Sequence, residues 1–378
     1  MNTTREEPIK KTRKRVIRYV PQITRLITLL FAVFLFLLSI ELIGDSFLQW
    51  KKNTAHSIVS VTTNPFISLF IGLLLTAIIQ SSSTSTSMIV ALVSTQALTL
   101  SEAIPMVMGA NVGTTFTSNI VALGFITKKR EFRKAISAGT VHDLFNILVV
   151  LILFPMELSY QFLSKLSRFF SDLIYYYIPF PTEEQLYDKE SLIGSIASLI
   201  SNSISEQFFL VIFSFVLLFT SIRIVARSLY SSLIGESRNK LQQYAFKNRG
   251  KSFLWGGILT AAVQSSSITT SLMVPLVATG KTTLKRAFPF IMGANLGTTV
   301  TAMIAAVFRS QAALDIALAH FLFNLIGVML FLIVPALSQV PVLLSGAIGR
   351  ITLIHRIYGF LYLIIMFFLI PFLLIYFG

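Results

Sequence analysis

The sequence predicts an all-α membrane protein of two inverted repeats, each with three transmembrane helices and one re-entrant hairpin, plus an extra C-terminal helix. Three observations carry this reading. Hydrophobic residues make up 54% of the 378 residues and charged residues only 12%, against roughly 25% charged in soluble domains. One hydroxyl-rich string occurs twice, as Gln80-Ser81-Ser82-Ser83-Thr84-Ser85-Thr86-Ser87 and as Gln264-Ser265-Ser266-Ser267-Ile268-Thr269-Thr270-Ser271. The apolar runs flanking each string are too short to cross a bilayer, which takes about 20 helical residues.

The elements follow in order. Residues 1–23 form a basic N-terminus with Lys10, Lys11, Arg13, Lys14, Arg15 and Arg18. The apolar run Leu26 to Ile43 is too long for a signal-peptide core and lacks a small-residue cleavage site, so it reads as a retained helix. Repeat 1, residues 24–156, holds spans at Thr24–Gly44, Ala103–Ile126 and Ala135–Pro155. Its hairpin has the arms Pro65–Ile79 and Met88–Leu98. Residues 157–206 form an extracytoplasmic linker, in which Leu158–Tyr177 mixes aromatics with Lys165 and Arg168 as an interfacial helix does. Repeat 2, residues 207–335, holds spans at Gln207–Val225, Leu284–Val307 and Ala312–Pro335, with hairpin arms Phe253–Val263 and Leu272–Ala278. The C-terminal segment, 336–378, contributes the helix Thr352–Phe377.

The repeat extends beyond the hydroxyl strings. At the same offset, Pro105 matches Pro289, and Gly109-Ala110-Asn111-Val112-Gly113-Thr114-Thr115-Phe116-Thr117 matches Gly293-Ala294-Asn295-Leu296-Gly297-Thr298-Thr299-Val300-Thr301. After a short deletion near Arg309, His142-Asp143-Leu144-Phe145-Asn146 matches His320-Phe321-Leu322-Phe323-Asn324. A hairpin adds no crossing, so each repeat crosses three times, and an odd count inverts the second copy. Loop charge agrees with a cytoplasmic N-terminus. The loops with Lys128, Lys129, Arg130, Arg133 and Lys134, and with Arg223, Arg227, Arg238, Lys240, Lys247, Arg249 and Lys251, read as inside. The linker with Asp172, Glu183, Glu184, Asp188 and Glu190 reads as outside. The net charge of +15 lies in such loops, which argues against nucleic acid as a partner.

Composition narrows the chemistry. The chain has no cysteine and four histidines without metal-ligand spacing, which argues against thiol chemistry and a transition-metal site. Hydroxyls buried in lipid must bind each other, the backbone or a solute. At each hairpin tip the returning helix begins near Ser82–Ser83 or Ser266–Ser267, and its unpaired amides and positive dipole end attract anions. Ser81, Ser82, Ser83, Ser265, Ser266 and Ser267 thus suit a small multivalent oxyanion. Neither tip carries Lys or Arg, so cations bound beside it supply the compensating charge. Gln80, Gln264, Asn111, Asn295, and the pairs Thr114/Thr117 and Thr298/Thr301 offer hard oxygen ligands suited to sodium, with Asn146 and Asn324 beside them. The glycines of the Gly-Ala-Asn strings read as close helix packing, and His142 and His320 as hydrogen-bonded packing residues. Asp143, matched by Phe321 in the second repeat, reads either as an asymmetric cation site or as a helix-start charge facing water.

Taken together, the paired Gln-Ser-Ser-Ser strings, the paired Gly-Ala-Asn-x-Gly-Thr-Thr strings and His-Asp-x-Phe-Asn resemble the type II sodium–phosphate cotransporter family, from about Phe66 to Pro335. The resemblance implies sodium-coupled import of inorganic phosphate by alternating access, with phosphate between the two tips. It implies a sodium site at Gln264, Ser265, Ser266, Thr298 and Thr301, and a further sodium linked to Asp143. It implies a multi-pass protein of the bacterial inner membrane, a transporter and not an enzyme, with no cofactor besides the coupling ion. The chain departs from animal members in lacking a large cysteine-bearing loop between repeats, and reads as a minimal bacterial form without a C-terminal soluble domain. Competing readings are symport of sulfate or a dicarboxylate, a passive channel, and an intramembrane serine hydrolase. The last lacks a Gly-x-Ser-x-Gly elbow.

Overall fold

The computed structural model describes residues 24, 27–39, 41–43, 45–46, 64–177, 192–204, 206–233, 246, 248–306 and 310–377. The basic N-terminus, the acidic residues Glu183 to Glu190, and Arg238, Lys240, Lys247 and Arg309 lie outside these. The described residues form helices and no strand. Among the described residues, four helical stretches are long and apolar enough to cross a membrane: Lys129–Tyr160, Leu284–Ala306, which is interrupted at Thr298, Gln311–Ile333 and Ile357–Tyr376.

The first apolar helix, α1, lies within Ile27–Ile43. The first hairpin is α2 (Pro65–Ile79) and α3 (Ser82–Ser94). Asn64 caps α2 by accepting from the Phe66 amide at 2.9 Å, and Pro65 stands at the first helical position, where its missing N–H costs nothing. Next come α4 (Leu100–Gly113) and α5 (Phe116–Leu123). Glu102 closes a capping box on Thr99, 2.8 Å from its amide. The long helix α6 (Lys129–Tyr160) ends at Gln161, which turns left-handed at φ 52°. The buried carboxylate of Glu157 then takes the Leu163 amide at 2.7 Å and the Ser164 amide at 3.2 Å, starting α7 (Phe162–Tyr177).

After α8 (Leu192–Ser203) and α9 (Gln207–Leu233), the second repeat retraces this path. Its hairpin is α10 (Arg249–Val263), α11 (Ser266–Ser271) and α12 (Met273–Ala278). Then follow α13 (Leu284–Gly297), α14 (Thr299–Ala306), α15 (Gln311–Ile333) and α16 (Pro335–Ile351). The C-terminal helix runs as α17 (Ile357–Ile364), a wider turn, and α18 (Ile370–Phe377).

Each expected span at Ala103–Ile126 and Leu284–Val307 is in fact two helices, broken at Thr114–Thr115 and at Thr298. The cause at the first break is local. The Thr114 hydroxyl bonds the Ala110 carbonyl and the Thr115 hydroxyl bonds the Val112 carbonyl, both at 2.8 Å, so side chains compete with the helix for its acceptors. The span expected at Ala135–Pro155 runs from Lys129 to Tyr160, and Asp143 therefore lies mid-helix. The helix expected from Thr352 begins at Ile357. Sequence reading did not anticipate α8 or α16.

Contacts between the repeats are exchanged in pairs. From the first repeat, α3 packs on α14 and α15; from the second, α11 and α12 pack on α5 and α6. Likewise α7 packs on α15, and α16 packs on α6. Helix α16 is thus the counterpart of α7, and the repeat continues past Pro335. The interfacial segment expected near Leu158–Tyr177 is α7: Leu163, Ser167 and Ser171 are buried, while Phe169, Tyr176 and Tyr177 are exposed.

Glycine sets how closely each hairpin holds its neighbour. Where α2 crosses α4, Gly109 faces the Leu69 carbonyl and Gly72 faces the Met106 carbonyl. Where α10 crosses α13, Gly293 faces the Phe253 carbonyl and Gly256 the Phe290 carbonyl. A Cβ at any of these positions would overlap a backbone oxygen, so the small-residue packing read from the sequence is what the structure contains. Overpacking costs about 1–3 kcal/mol even where side chains can yield, and here the obstacle is backbone. Gly109→Ala and Gly293→Ala are therefore expected to lower the thermal unfolding midpoint in detergent. Gly346→Ala, with nothing within 4 Å of the added carbon, is expected to leave it unchanged.

Candidate functional site

The two hydroxyl strings adopt one conformation. Gln80 ends α2 at φ 57°, ψ 27°, and Gln264 ends α10 at φ 53°, ψ 29°. A left-handed residue other than glycine costs roughly 1–2 kcal/mol, and the same departure is kept at both tips. The next residue is extended and caps the returning helix. The Ser81 hydroxyl accepts from the Thr84 amide at 3.2 Å, and the Ser265 hydroxyl from the Ile268 amide at 3.3 Å. The returning helices begin at Ser82 and Ser266, as the sequence suggests.

The tips meet. The Ser83 hydroxyl donates to the Gln264 carbonyl at 2.8 Å, and the Ser267 hydroxyl donates to the Gln80 carbonyl at 3.3 Å. Between these reciprocal bonds the Ser82 and Ser266 hydroxyls lie 3.3 Å apart. Thr298 joins them, its hydroxyl 3.5 Å from Ser82 and 3.4 Å from Ser83. Ser82, Ser83, Ser266, Ser267 and Thr298 are all buried. Five residues of distant sequence thus place hydroxyls around one point, beside two helix starts.

The threonine pairs are unequal. Thr298 reaches the tips, whereas its counterpart Thr114 bonds back to its own helix. The hydroxyls of Thr117 and Thr301 have no hydrogen-bond partner, and neither do those of Thr76 and Thr260. These four form two repeat-related pairs of unpaired oxygens.

The asparagines and histidines form a separate network across the repeat interface. The Asn295 Oδ1 accepts from His142 Nε2 at 3.0 Å, and its Nδ2 donates to the side-chain oxygens of Asn146 and Asn324 at 2.9 and 2.5 Å. In the opposite sense His320 Nε2 lies 3.3 Å from the Asn111 side-chain oxygen, which also accepts from Asn324 at 3.1 Å. Asn146 closes the ring by donating to the Asn111 backbone carbonyl at 2.7 Å. All six side chains are buried. The side-chain oxygens of all four asparagines already have partners here.

Asp143 stands apart. It is 0% exposed, which removes the reading of a helix-start charge facing water. Its Oδ2 accepts from Asn119 Nδ2 at 2.7 Å and from the Tyr362 hydroxyl at 3.1 Å, while its Oδ1 has no partner. No basic side chain among the described residues pairs with it.

A family model described as Na+/Pi-cotransporter matches residues 35–171 and 217–353, and each matched segment contains one hydroxyl string. The chain belongs to the Na+/Pi-cotransporter family. Among curated relatives, it is 29% identical over 458 residues to sodium-dependent phosphate transport protein 2B of Homo sapiens, covering 96% of this chain and 66% of that protein. It is 31% identical over 416 residues to sodium-dependent phosphate transport protein 2A of Rattus norvegicus, covering 90% of this chain and 65% of that protein. The chain therefore spans just under two thirds of the length of these cotransporter relatives. No solved structure gives a significant match.

Sequence reading missed Asn119, Tyr362 and the Ser118–Thr270 contact at 3.1 Å. Asn119 carried a usable signal. Its repeat counterpart is Met303, the same polar-to-apolar difference that singled out Asp143 and Phe321. Tyr362 carried none, since it has no repeat counterpart.

A buried polar group left without its partner costs about 1–3 kcal/mol. Asn295→Leu strips partners from His142, Asn146 and Asn324 together. Its unfolding midpoint is expected to fall well below that of Ser214→Ala, whose equally buried hydroxyl bonds only within its own helix. Equal midpoints for the two variants would contradict a structural role for the network.

Proposed function

We propose that the chain is a sodium-coupled secondary active transporter that imports inorganic phosphate, bound between the two tips. The observation that carries this reading is the reciprocal tip contact, Ser83 to Gln264 and Ser267 to Gln80. Those hydroxyls now donate to carbonyls. A phosphate entering between the tips offers acceptor oxygens to the same donors and to the amides that open each returning helix. The names of the relatives support sodium and phosphate as the cargo.

In this reading phosphate is held by Ser81, Ser82, Ser83, Ser265, Ser266 and Ser267. One sodium lies at Gln264, Ser265, Ser266, Thr298 and Thr301, where Thr298 already touches the first tip and Thr301 has a hydroxyl to offer. Gln80, Thr114 and Thr117 are the corresponding positions around the first tip. Asn111, Asn146, Asn295 and Asn324 hold the repeats together, and ligate sodium only if their network opens. Asp143 holds a further sodium. If Asp143 adds a third sodium, three sodium ions with HPO₄²⁻ carry one net positive charge inward, and a 100 mV potential contributes about 2.3 kcal/mol per such charge; with two sodium ions the cycle is electroneutral.

Loop charge supports a plasma-membrane protein with its N-terminus in the cytoplasm and repeats of opposite orientation, the first hairpin re-entering from outside and the second from inside. The exchanged contacts of the two repeats suit that arrangement, and alternating access would then move one repeat against the other around a shared site. Nothing in the tip cluster resembles a nucleophile with its base, so no enzymatic activity is proposed.

Proteoliposomes test this directly. Phosphate uptake is expected to require an inward sodium gradient and to be competed by arsenate but not by succinate. Uptake without sodium, or none, would contradict the reading. Loss of a hydrogen bond to a charged group costs about 1.5–3 kcal/mol, or about tenfold and more in affinity. Ser82→Ala and Ser266→Ala are therefore each expected to raise the phosphate KM by about that factor. Asp143→Asn is expected to change sodium dependence more than phosphate affinity, and an unchanged sodium titration would remove Asp143 from the sodium site.

A further inference from the structure

The C-terminal helix lies outside both repeats, yet it reaches the least symmetric point of the molecule. Three differences between the repeats cluster there. Asp143 stands where the second repeat has Phe321, Asn119 where it has Met303, and Gly139 where it has Ala317. They belong together physically. Gly139 is one turn before Asp143 on α6, and a Cβ on it would lie 2.7 Å from the Asn119 side-chain oxygen. Its bare backbone makes room for the Asn119 amide, whose nitrogen then binds Asp143 Oδ2 at 2.7 Å.

The second bond to that same oxygen comes from Tyr362 at 3.1 Å. Just beyond it, the helix widens. The Ile370 amide reaches back five residues to the Ile365 carbonyl, an insertion that recurs at functional sites. Consecutive residues of a regular α-helix do not share a face. The widened turn nevertheless brings both Phe367 and Phe368 onto Phe116, with ring centres 5.2 and 5.3 Å away. Phe116 is the first residue of α5, the helix that carries Asn119. The C-terminal helix is thereby clamped to the element that holds the other partner of Asp143.

Both donors converge on Oδ2. Asp143 Oδ1 and the Asn119 side-chain oxygen are buried without a partner. A carboxylate fully removed from water, with no basic side chain paired to it among the described residues, calls for a cation.

We propose that Tyr362 is a positioning residue of a sodium site at Asp143: its hydroxyl fixes one carboxylate oxygen so that the other, with the Asn119 side-chain oxygen, faces the ion. The C-terminal helix is then part of the coupling apparatus rather than an addition to it. This inference rests on the reading of Asp143 as a cation site.

The test is a sodium titration of thermal stability on the purified full-length protein in detergent, with choline replacing sodium at constant ionic strength. Sodium is expected to raise the unfolding midpoint of the wild type. Tyr362→Phe keeps the ring and is expected to unfold like the wild type in choline, but to need about tenfold more sodium for the same rise. In an Asp143→Asn background, Tyr362→Phe is expected to leave the sodium titration unchanged, because the tyrosine acts only through the carboxylate. A wild-type titration in Tyr362→Phe, a further shift on the Asp143→Asn background, or no response of the wild type to sodium would each overturn the inference. Phosphate uptake by the same wild-type preparation judges the transport reading separately. A sodium response without sodium-driven uptake sinks that reading and leaves the role of Tyr362 intact.

Discussion

A polar group inside this chain has no water to bind, and its partner must come from the chain or from a solute. The reciprocal bonds of Ser83 to the Gln264 carbonyl and Ser267 to the Gln80 carbonyl answer that constraint at the centre of the molecule. Each left-handed glutamine ends a helix with its carbonyl free, and each following serine cluster supplies a donor to the opposite tip. The bonds exist only if the two hairpins arrive together. That requirement explains the close glycine crossings of α2 on α4 and α10 on α13, which fix how far each tip projects. It also explains the exchanged contacts, in which each hairpin is backed by the broken and long helices of the other repeat.

The same constraint separates two kinds of buried polar residue. The side-chain oxygens of Asn111, Asn146, Asn295 and Asn324 are all engaged within the network that joins them to His142 Nε2 and His320 Nε2 across the repeat interface, while both histidine Nδ1 atoms are unpaired; the network reads as structural. Thr301 and Asp143 are incompletely satisfied, with Thr301 Oγ1 and Asp143 Oδ1 unpaired, whereas the tip hydroxyls bond one another and the carbonyls of the opposite tip. Unpaired buried oxygens suit cations, and clustered hydroxyls beside helix starts suit an oxyanion. In the proposed reading, two copies of one unit make a site that is symmetric for the anion and asymmetric for the ions beside it.

Much of this was legible in the sequence because the repeat is itself a measurement. Matching Gln80 to Gln264 located both tips, the helix starts at Ser82 and Ser266, and the packing glycines. Position along the chain was less legible. The threonines that break α4 from α5 pass as part of one span because their hydroxyls bond backward into the helix rather than advertise a turn; at the second break the Thr299 hydroxyl does the same while that of Thr298 reaches the tips. Asp143 looked close to a helix end because Lys129 to Lys134, charged and polar, read as loop. They are the first turns of α6. Helix α16 and the reach of Tyr362 depend on tertiary packing, which no local pattern encodes.

In the proposed transport cycle the two tips close around the anion, so residues facing each other across them must come together. The chain has no cysteine, so paired substitutions report cleanly. Ser82→Cys with Ser266→Cys replaces hydroxyls that lie 3.3 Å apart, within reach of a disulfide. Mild oxidation is expected to join the two cysteines within one chain, and phosphate with sodium, raised about a hundredfold to offset the two lost hydroxyls, is expected to slow the reaction while the same phosphate with choline does not. Absence of the cross-link, or a rate indifferent to phosphate and sodium together, would contradict that closure.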